Sequence, residues 1–186
     1  MQDTFKIKNM DSLDTRDAKM PAELVKAFYD LKITSILDIA CGSGWLCDYM
    51  PPGTRYFGFD PNPTAIENAL KLHPEGNFMV ATIRDILDKT IMSEPCDAAF
   101  LKCVFCVVKP DPTEDIVQLI KRCVTKYVML YDTELKAGYW SAPFTEAGFT
   151  LMFTHTRGGM VTNNPENATY AVSHAPSSVQ IWRVDK

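Results

Sequence analysis

The fold of this chain can be predicted from one stretch, Ile36-Leu37-Asp38-Ile39-Ala40-Cys41-Gly42-Ser43-Gly44. Apolar and β-branched residues over about 33–40 predict a buried strand, and the glycines that follow predict a tight turn. A helix is expected to start near Trp45. In sheets of parallel strands, ligands bind beyond the carboxyl ends of the strands, where the strand order reverses. The stretch therefore predicts a strand, a ligand-binding turn and a helix, one after the other.

Segments on either side of this stretch alternate between strand and helix patterns. Apolar residues at helical spacing predict a helix over about 21–31. Short apolar runs predict further strands at 55–60, 78–81, 98–102, 127–131, 149–154 and 178–184, and helical patterns lie over 62–72, from 112 onward and over 140–147. Strands that alternate with helices are typical of an α/β domain with a largely parallel sheet.

The last two predicted strands are not separated by a helical pattern. The segment between them, 156–177, is rich in Gly, Asn, Pro and Ser, so the strands are expected to be antiparallel neighbours joined by a long loop. The fold class predicted is α/β, a doubly wound, mostly parallel sheet of seven strands with helices on both faces and an antiparallel terminal pair. Residues 1–20 are expected to form an arm or lid, and residues 21–186 a single domain.

Composition narrows the class of function. A chain of 186 residues, 46% apolar and 23% charged, can bury a core without disulfides or a metal. Its net charge of −4 argues against a large nucleic-acid surface, which would be rich in Lys and Arg. The polar N-terminus and the lack of a long apolar run predict a cytoplasmic protein with reduced thiols and no membrane contact.

Two acidic residues stand where the first two strands are expected to end. Asp38 can receive a cationic or hydroxyl group, and Asp60 can accept hydrogen bonds from both hydroxyls of a ribose. After Gly42 and Gly44, the third small residue of the dinucleotide fingerprint is missing, because Cys47 stands in its place. Two ligands stay open at this point: a dinucleotide, and S-adenosylmethionine (SAM), which has no phosphate groups.

The ordered motifs resemble those of the class I SAM-dependent methyltransferase superfamily. The stretch 36–44 is similar to its first motif, and Phe57-Gly58-Phe59-Asp60-Pro61-Asn62-Pro63 is similar to its second. Val80-Ala81-Thr82-Ile83-Arg84-Asp85-Ile86 is similar to the third motif. Cys96-Asp97-Ala98-Ala99-Phe100-Leu101 is similar to the fourth strand, and Phe144-Thr145-Glu146-Ala147-Gly148-Phe149 to the helix end before the sixth.

The resemblance implies a role for individual residues. The methionine part of SAM would contact Asp38, Ala40, Gly42 and Gly44. The adenosine part would contact Asp60, Pro61, Asn62, Thr82 and Ile83, and Leu101 and Lys102 would lie near the reactive sulfonium. Two positions depart from the family's pattern: Ala40 replaces a glycine of the first motif, and Thr82 stands where an acid often contacts adenine.

Candidates for a general base lie at the ends of the fifth and sixth strands. Tyr131 and Asp132 can orient an acceptor or remove its proton, and His155 can serve as a base. Asp132 can equally cap the next turn. SAM already carries an activated methyl group, so the protein must mainly align the acceptor, and a base is not required for every acceptor.

The residues at the end of the predicted fourth strand argue against several subclasses of methyltransferase. Leu101-Lys102-Cys103-Val104-Phe105 lacks the acids of magnesium-dependent methyltransferases and the proline motif of adenine-N6 enzymes, so no metal is expected. The C-x-x-C spacing of Cys103 and Cys106 lacks a second ligand pair, which favours packing thiols.

The function predicted is methyl transfer from SAM to a small-molecule or peptide-sized acceptor, with S-adenosylhomocysteine (SAH) as product, by a monomer or homodimer. Two alternatives stay open. One is an NAD(P)-dependent oxidoreductase on a similar sheet, and the other is a non-catalytic SAM-binding or scaffold protein.

Overall fold

A computed structural model describes residues 20–89, 92, 94–102, 104, 113–133, 141–157 and 177–185. Its strands are β1 (Ser35–Ile39), β2 (Arg55–Asp60), β3 (Asn77–Val80), β4 (Cys96–Lys102), β5 (Val124–Thr133), β6 (Phe149–Arg157) and β7 (Ser177–Val184). The helices discussed below are α1 (Ala22–Asp30), a 3-10 helix (Trp45–Tyr49), α2 (Pro63–Leu72), α3 (Ile83–Lys89), α4 (Thr113–Cys123) and α5 (141–146).

The strands form one seven-stranded sheet in the order β3-β2-β1-β4-β5-β7-β6. β7 pairs antiparallel with both β5 and β6, and the other pairs are parallel. This confirms the predicted sheet, including its antiparallel terminal pair. The strand order reverses between β1 and β4, which is where sheets of this kind bind ligands.

Helices cover both faces of the sheet. On one face Phe100 of β4 packs against Phe28 of α1, with ring centroids 6.5 Å apart. On the opposite face Leu101 belongs to one buried cluster with Leu119 of α4. These are called the α1 face and the α4 face below. Since successive side chains of a strand alternate between faces, the sequence position of a residue fixes which helix layer it meets.

Helix α3 was not predicted from the sequence. It has seven residues and only Ile86 is buried, so its apolar pattern is weak. Its start is fixed by two mutual hydrogen bonds: the amide of Asp85 donates to Thr82 Oγ1 (3.1 Å), and the amide of Thr82 donates to Asp85 Oδ2 (3.0 Å). This capping-box arrangement satisfies amides that a helix start otherwise leaves unpaired. The other predicted elements lie within three residues of the observed ones.

Some predictions concern residues outside the described ranges. They are the arm before Met20, most of the loop over 156–177, and the thiols of Cys103 and Cys106. Among the described helices, none has the length and apolar character needed to cross a membrane.

Candidate functional site

The ends of β1, β2 and β4 bring three charged residues to one edge of the sheet. Asp38 pairs with Gly58 of β2 and with Phe100 of β4, so these three residues lie in one row on the α1 face. Asp60 and Lys102 stand two residues further along β2 and β4 and share that face. The carboxyl edge of the α1 face therefore carries two carboxylates and one ammonium group.

Two backbone amides orient the Asp60 carboxylate, one from the loop after β1 and one from the turn after β2. The amide of Gly42 donates to Asp60 Oδ2 (3.0 Å), and the amide of Asn62 donates to Oδ1 (2.8 Å). Gly42 (φ 55°) and Ala40 (φ 57°) both adopt the left-handed backbone conformation, which turns the loop back toward β2. A Cβ atom at Gly42 would meet nothing within 4 Å, so the loop faces open space at this point.

Gly44 is enclosed, unlike Gly42. Its φ is 79°, and a Cβ atom there would lie 2.8 Å from Phe78 Cζ and 3.1 Å from His73 Cδ2. A ring from β3 fills the space next to the Cα atom, so Gly44 is required by its backbone angle and by its contact with Phe78. The contact of Gly44 with the methionine part of SAM stays a prediction.

Asp38 is held by a tyrosine that the sequence analysis missed. Asp38 is 4% exposed, and the hydroxyl of Tyr56 donates to its Oδ2 at 2.7 Å. Burial raises the pKa of Asp38 to about 7, against the opposing effects of the Tyr56 hydrogen bond and the Lys102 charge. Gly58 makes the contact possible, because a Cβ atom there would lie 2.7 Å from Tyr56 Oη. No sequence motif indicates this contact, because it depends on the register between β1 and β2.

Lys102 lies against the first residue of the 3-10 helix. Its Nζ is 4.1 Å from the centroid of the Trp45 ring, which is a cation–π contact. Trp45 in turn packs on Tyr49, with ring centroids 5.0 Å apart. Leu101, the neighbouring predicted cofactor residue, is fully buried and belongs to the cluster on the α4 face. Its side chain therefore points away from the two carboxylates, and only its backbone lies at the strand end.

Two thiols lie near the carboxylates. Burial is the main cause that raises the pKa of the Cys47 thiol to about 12, and it also raises the pKa of Cys41. The charge of Asp38 adds to both shifts. Thiols in such surroundings stay protonated near neutral pH, which disfavours a nucleophilic role.

The predicted adenine-side residues begin helices. The side chain of Asn62 accepts from the amide of Thr64 at 3.0 Å and caps α2, while Thr82 caps α3 and Ile83 is the first residue of α3. Pro61 is exposed beside Asp60. These residues all follow the carboxyl ends of β2 or β3, the same edge of the sheet as Asp38.

Two of the predicted catalytic residues lie on opposite faces of β5. Tyr131 pairs with Lys102 and shares the α1 face with it, one strand away. Asp132 comes next along β5 and therefore points to the α4 face, where it is 1% exposed. Tyr131 is thus on the side of the sheet that carries Asp38 and Lys102, and Asp132 is not.

The third predicted catalytic residue, His155, lies further than Tyr131 from Asp38 and Lys102. It pairs with Val179 of β7, which pairs with Tyr131, so His155 is two strands or roughly 10 Å beyond Tyr131. Its Nε2 lies 3.6 Å from Oε1 of Glu23 in α1. This distance results from the place of β7 between β5 and β6, which no pattern within a single strand indicates.

A metal site would need several ligands in one place. Within the described ranges, no three His, Cys, Asp or Glu side chains gather in a way that could bind an ion. The absence of a metal stays a prediction.

The sheet order and the acidic, glycine-lined edge together define a class I methyltransferase architecture. The family model described as "Methyltransferase domain" matches residues 37–130, from β1 to β5. The chain belongs to this family. Membership confirms the predicted class, a SAM-dependent methyltransferase, and with it SAM as the cofactor and SAH as the product.

Solved structures share the fold at low sequence identity. A Thermoplasma acidophilum protein has a TM-score of 0.66 and 19% identity, covering 86% of this chain and 85% of that chain. The plantazolicin methyltransferase BpumL, solved with a triazolic desmethylPZN analog and SAH, has a TM-score of 0.63 and 15% identity over 89% and 83%. Magnesium protoporphyrin IX methyltransferase from Synechocystis PCC 6803, solved with SAM, has a TM-score of 0.61 and 13% identity over 88% and 76%. No curated protein matched the sequence.

Proposed function

We propose that this protein transfers the methyl group of SAM to a small-molecule or peptide-sized acceptor and releases SAH. The observation that carries the proposal is the pair of carboxylates, Asp38 and Asp60, on one face of the sheet edge at the strand-order reversal. Asp38 is buried, and the carboxylate of Asp60 is oriented by two backbone amides. This arrangement suits a ligand with a cationic group at one end and a ribose at the other.

The residues present fit SAM. The ribose hydroxyls would donate to Asp60, whose carboxylate is already oriented by the amides of Gly42 and Asn62. The α-ammonium group would pair with Asp38, and the open space at Gly42 leaves room for the methionine part. When bound, SAM supplies a methyl group on a sulfonium that leaves as a neutral thioether.

The chain's own part in the reaction is alignment of the acceptor. Tyr131 is the candidate that the geometry favours for orienting an acceptor, because it stands beside Lys102 on the α1 face. Asp132, on the other face, and His155, two strands further on, are weaker candidates. A tyrosine hydroxyl can donate a hydrogen bond to the acceptor or accept one from it, and either bond would orient the acceptor.

The acceptor class is supported by the known proteins of similar fold. The structures named above include a methyltransferase bound to a desmethylPZN analog and one named for magnesium protoporphyrin IX. The net charge of −4 also argues against nucleic acid as the substrate. We further propose that residues 1–20 act as an arm or lid over a single domain of residues 21–186, in a cytoplasmic monomer or homodimer.

Calorimetric titration of the purified protein with SAH, SAM and NADH tests the cofactor. SAH and SAM are expected to bind in the micromolar range and NADH not at all. Asp60→Ala should weaken SAH binding roughly 100-fold, because it removes charge-assisted hydrogen bonds to the ribose. Asp88→Ala is the matched control, since it removes the same charge from an exposed position on α3. Binding of NADH alone would favour the oxidoreductase, and equal SAH affinity in all variants would overturn the role of Asp60.

Transfer of a radiolabelled methyl group from SAM tests the acceptor class. The label is expected in small molecules or short peptides when the protein is incubated with fractionated cell extract. Exclusive labelling of nucleic acid would contradict the proposal. Cofactor binding without transfer to any fraction would favour the non-catalytic alternative.

A further inference from the structure

We propose that Tyr56 is a positioning residue of the cofactor site, which uses its hydroxyl to keep the Asp38 carboxylate anionic and oriented for the α-ammonium group of SAM. The inference rests on the proposed function, because it assigns Asp38 to that group. Nothing in the sequence motifs points to Tyr56, which lies four residues before Asp60 and outside the glycine loop.

Geometry makes the contact between the two side chains specific. Tyr56 Oη donates to Asp38 Oδ2 at 2.7 Å, and both residues are buried, with exposures of 9% and 4%. Because the tyrosine occupies Oδ2, an incoming ammonium group has Oδ1 to bind. A short hydrogen bond to one oxygen also fixes the plane of the carboxylate.

The tyrosine ring is itself held in place from two sides. It crosses β2 above Gly58, where a Cβ atom would lie 2.7 Å from Oη and 2.8 Å from Cε1. On its other side the ring meets Phe78 of β3, with centroids 5.2 Å apart. The phenol therefore reaches Asp38 because one position of β2 has no side chain and the neighbouring strand supplies an aromatic support.

The charges around Asp38 explain why this support matters. From β4, Lys102 favours the anion, while Asp60 at the end of β2 disfavours it. The neighbouring thiols of Cys41, in the loop, and Cys47, in the 3-10 helix, are protonated. Burial is the largest influence and favours the neutral acid. Tyr56 supplies the hydrogen bond that opposes burial, so its loss should leave more Asp38 protonated at neutral pH.

The test is calorimetric binding between pH 5.5 and 8.5 of two probes, SAH and 5′-methylthioadenosine, which lacks the amino-acid group. Wild type should bind SAH more tightly as the pH rises and methylthioadenosine almost equally at every pH. Tyr56→Phe should displace the SAH profile to higher pH, with an affinity up to roughly tenfold lower at pH 7 that recovers toward pH 8.5. Its methylthioadenosine affinity should not change.

Control variants separate positioning from packing. Tyr127→Phe removes a hydroxyl from a half-buried tyrosine on the same face, at the far end of β5, and should leave both profiles unchanged. In an Asp38→Asn background, Tyr56→Phe should have no further effect on SAH. If Tyr56→Phe does not fold, Gly58→Ala displaces the ring instead and should shift the SAH profile in the same direction.

Each result has a distinct meaning. An equal loss of affinity for both probes at every pH would show a packing role and overturn the inference. An unchanged SAH profile in Tyr56→Phe would also overturn it, while SAH binding by wild type would leave the proposed function intact. Failure of wild type to bind SAH at all would instead overturn the proposed function.

Discussion

At Asp38 the protein buries a carboxyl group whose pKa rises to about 7 from the ordinary 3.8. The unfolded chain therefore loses this proton at a lower pH than the folded chain does. Between about pH 4 and pH 7 the folded state binds the extra proton, so Asp38 makes the ligand-free protein less stable as the pH rises through this window. The ligand-free protein therefore loses folding stability when Asp38 ionises. A cationic ligand that pairs with the carboxylate would offset this loss.

The stability of Asp38→Asn tests this linkage. The amide resembles the neutral acid, so the variant should gain stability over wild type as the pH rises. Between pH 5 and pH 8 that gain should grow by roughly 3 kcal/mol, since two pH units below the folded pKa correspond to about 1.4 kcal/mol each. Urea unfolding at both pH values measures it. Asp88→Asn, at an exposed position, is the control, and a gain that does not change with pH would contradict the prediction.

Gly44 and Gly53 have similar φ angles but different surroundings. Gly44 (φ 79°) faces Phe78 and His73, whereas a Cβ atom at Gly53 (φ 81°) would meet nothing within 4 Å. Gly53→Ala should therefore cost about 1 kcal/mol for the backbone alone, and Gly44→Ala about 1–3 kcal/mol more for the steric overlap. Chemical unfolding of both variants measures the difference. Equal losses would show that the rings move aside without cost.

Individual residues differ in how far the sequence could predict them. Asp38 and Asp60 lie in the last two residues of β1 and β2, and Gly42 lies in the loop after β1, so the motif pattern was enough to bring them together. Tyr56 could not be found in this way, because its contact depends on the register between β1 and β2. The enclosure of Gly44 depends on Phe78 from a third strand, which no local pattern indicates.

At the scale of elements, α3 depends on its first turn. The side chains of Thr82 and Asp85 satisfy each other's amides, and Ile86 is the only buried residue of the helix among those described. A helix with so little buried surface gains much of its stability from its cap.

Thr82→Ala should therefore cost about 1 kcal/mol of folding stability, while Thr82→Ser should cost much less, because serine retains the accepting oxygen. Thermal unfolding of the two variants compares them. SAH titration of the same proteins examines the proposed adenine contact separately. If alanine and serine destabilise equally, the threonine methyl group rather than the cap would be responsible.

Elements were predictable where burial gave them a strong pattern. β1 is buried at every position and shows as a short apolar run, while the buried residues of α4 recur at helical spacing. α3 has almost no such pattern and was missed. The place of β7 leaves no local pattern either, because pairing between distant strands gives no periodic signal in either strand. It puts His155 two strands away from Tyr131.

At the scale of the whole molecule, a ligand that binds only the folded state must raise the free energy of unfolding of the protein. SAH at about 100 times its dissociation constant should add roughly 2.7 kcal/mol, which corresponds to a rise of about 5–10 °C in the unfolding temperature for a chain of this size. Differential scanning fluorimetry measures the shift, with NADH as the ligand control. Asp60→Ala should show little shift at the same SAH concentration, and a full shift in that variant would contradict the site described here.

The place of β7 between β5 and β6 also sets an order of events on the ribosome. β6 is synthesised before β7, yet β7 is the strand that joins it to β5. Until residue 184 has emerged, β5 and β6 both expose backbone groups that will later be paired. A nascent chain that stalls before Ser177 therefore leaves open the two strand edges that β7 pairs in the finished sheet, the condition under which partly made proteins associate with one another.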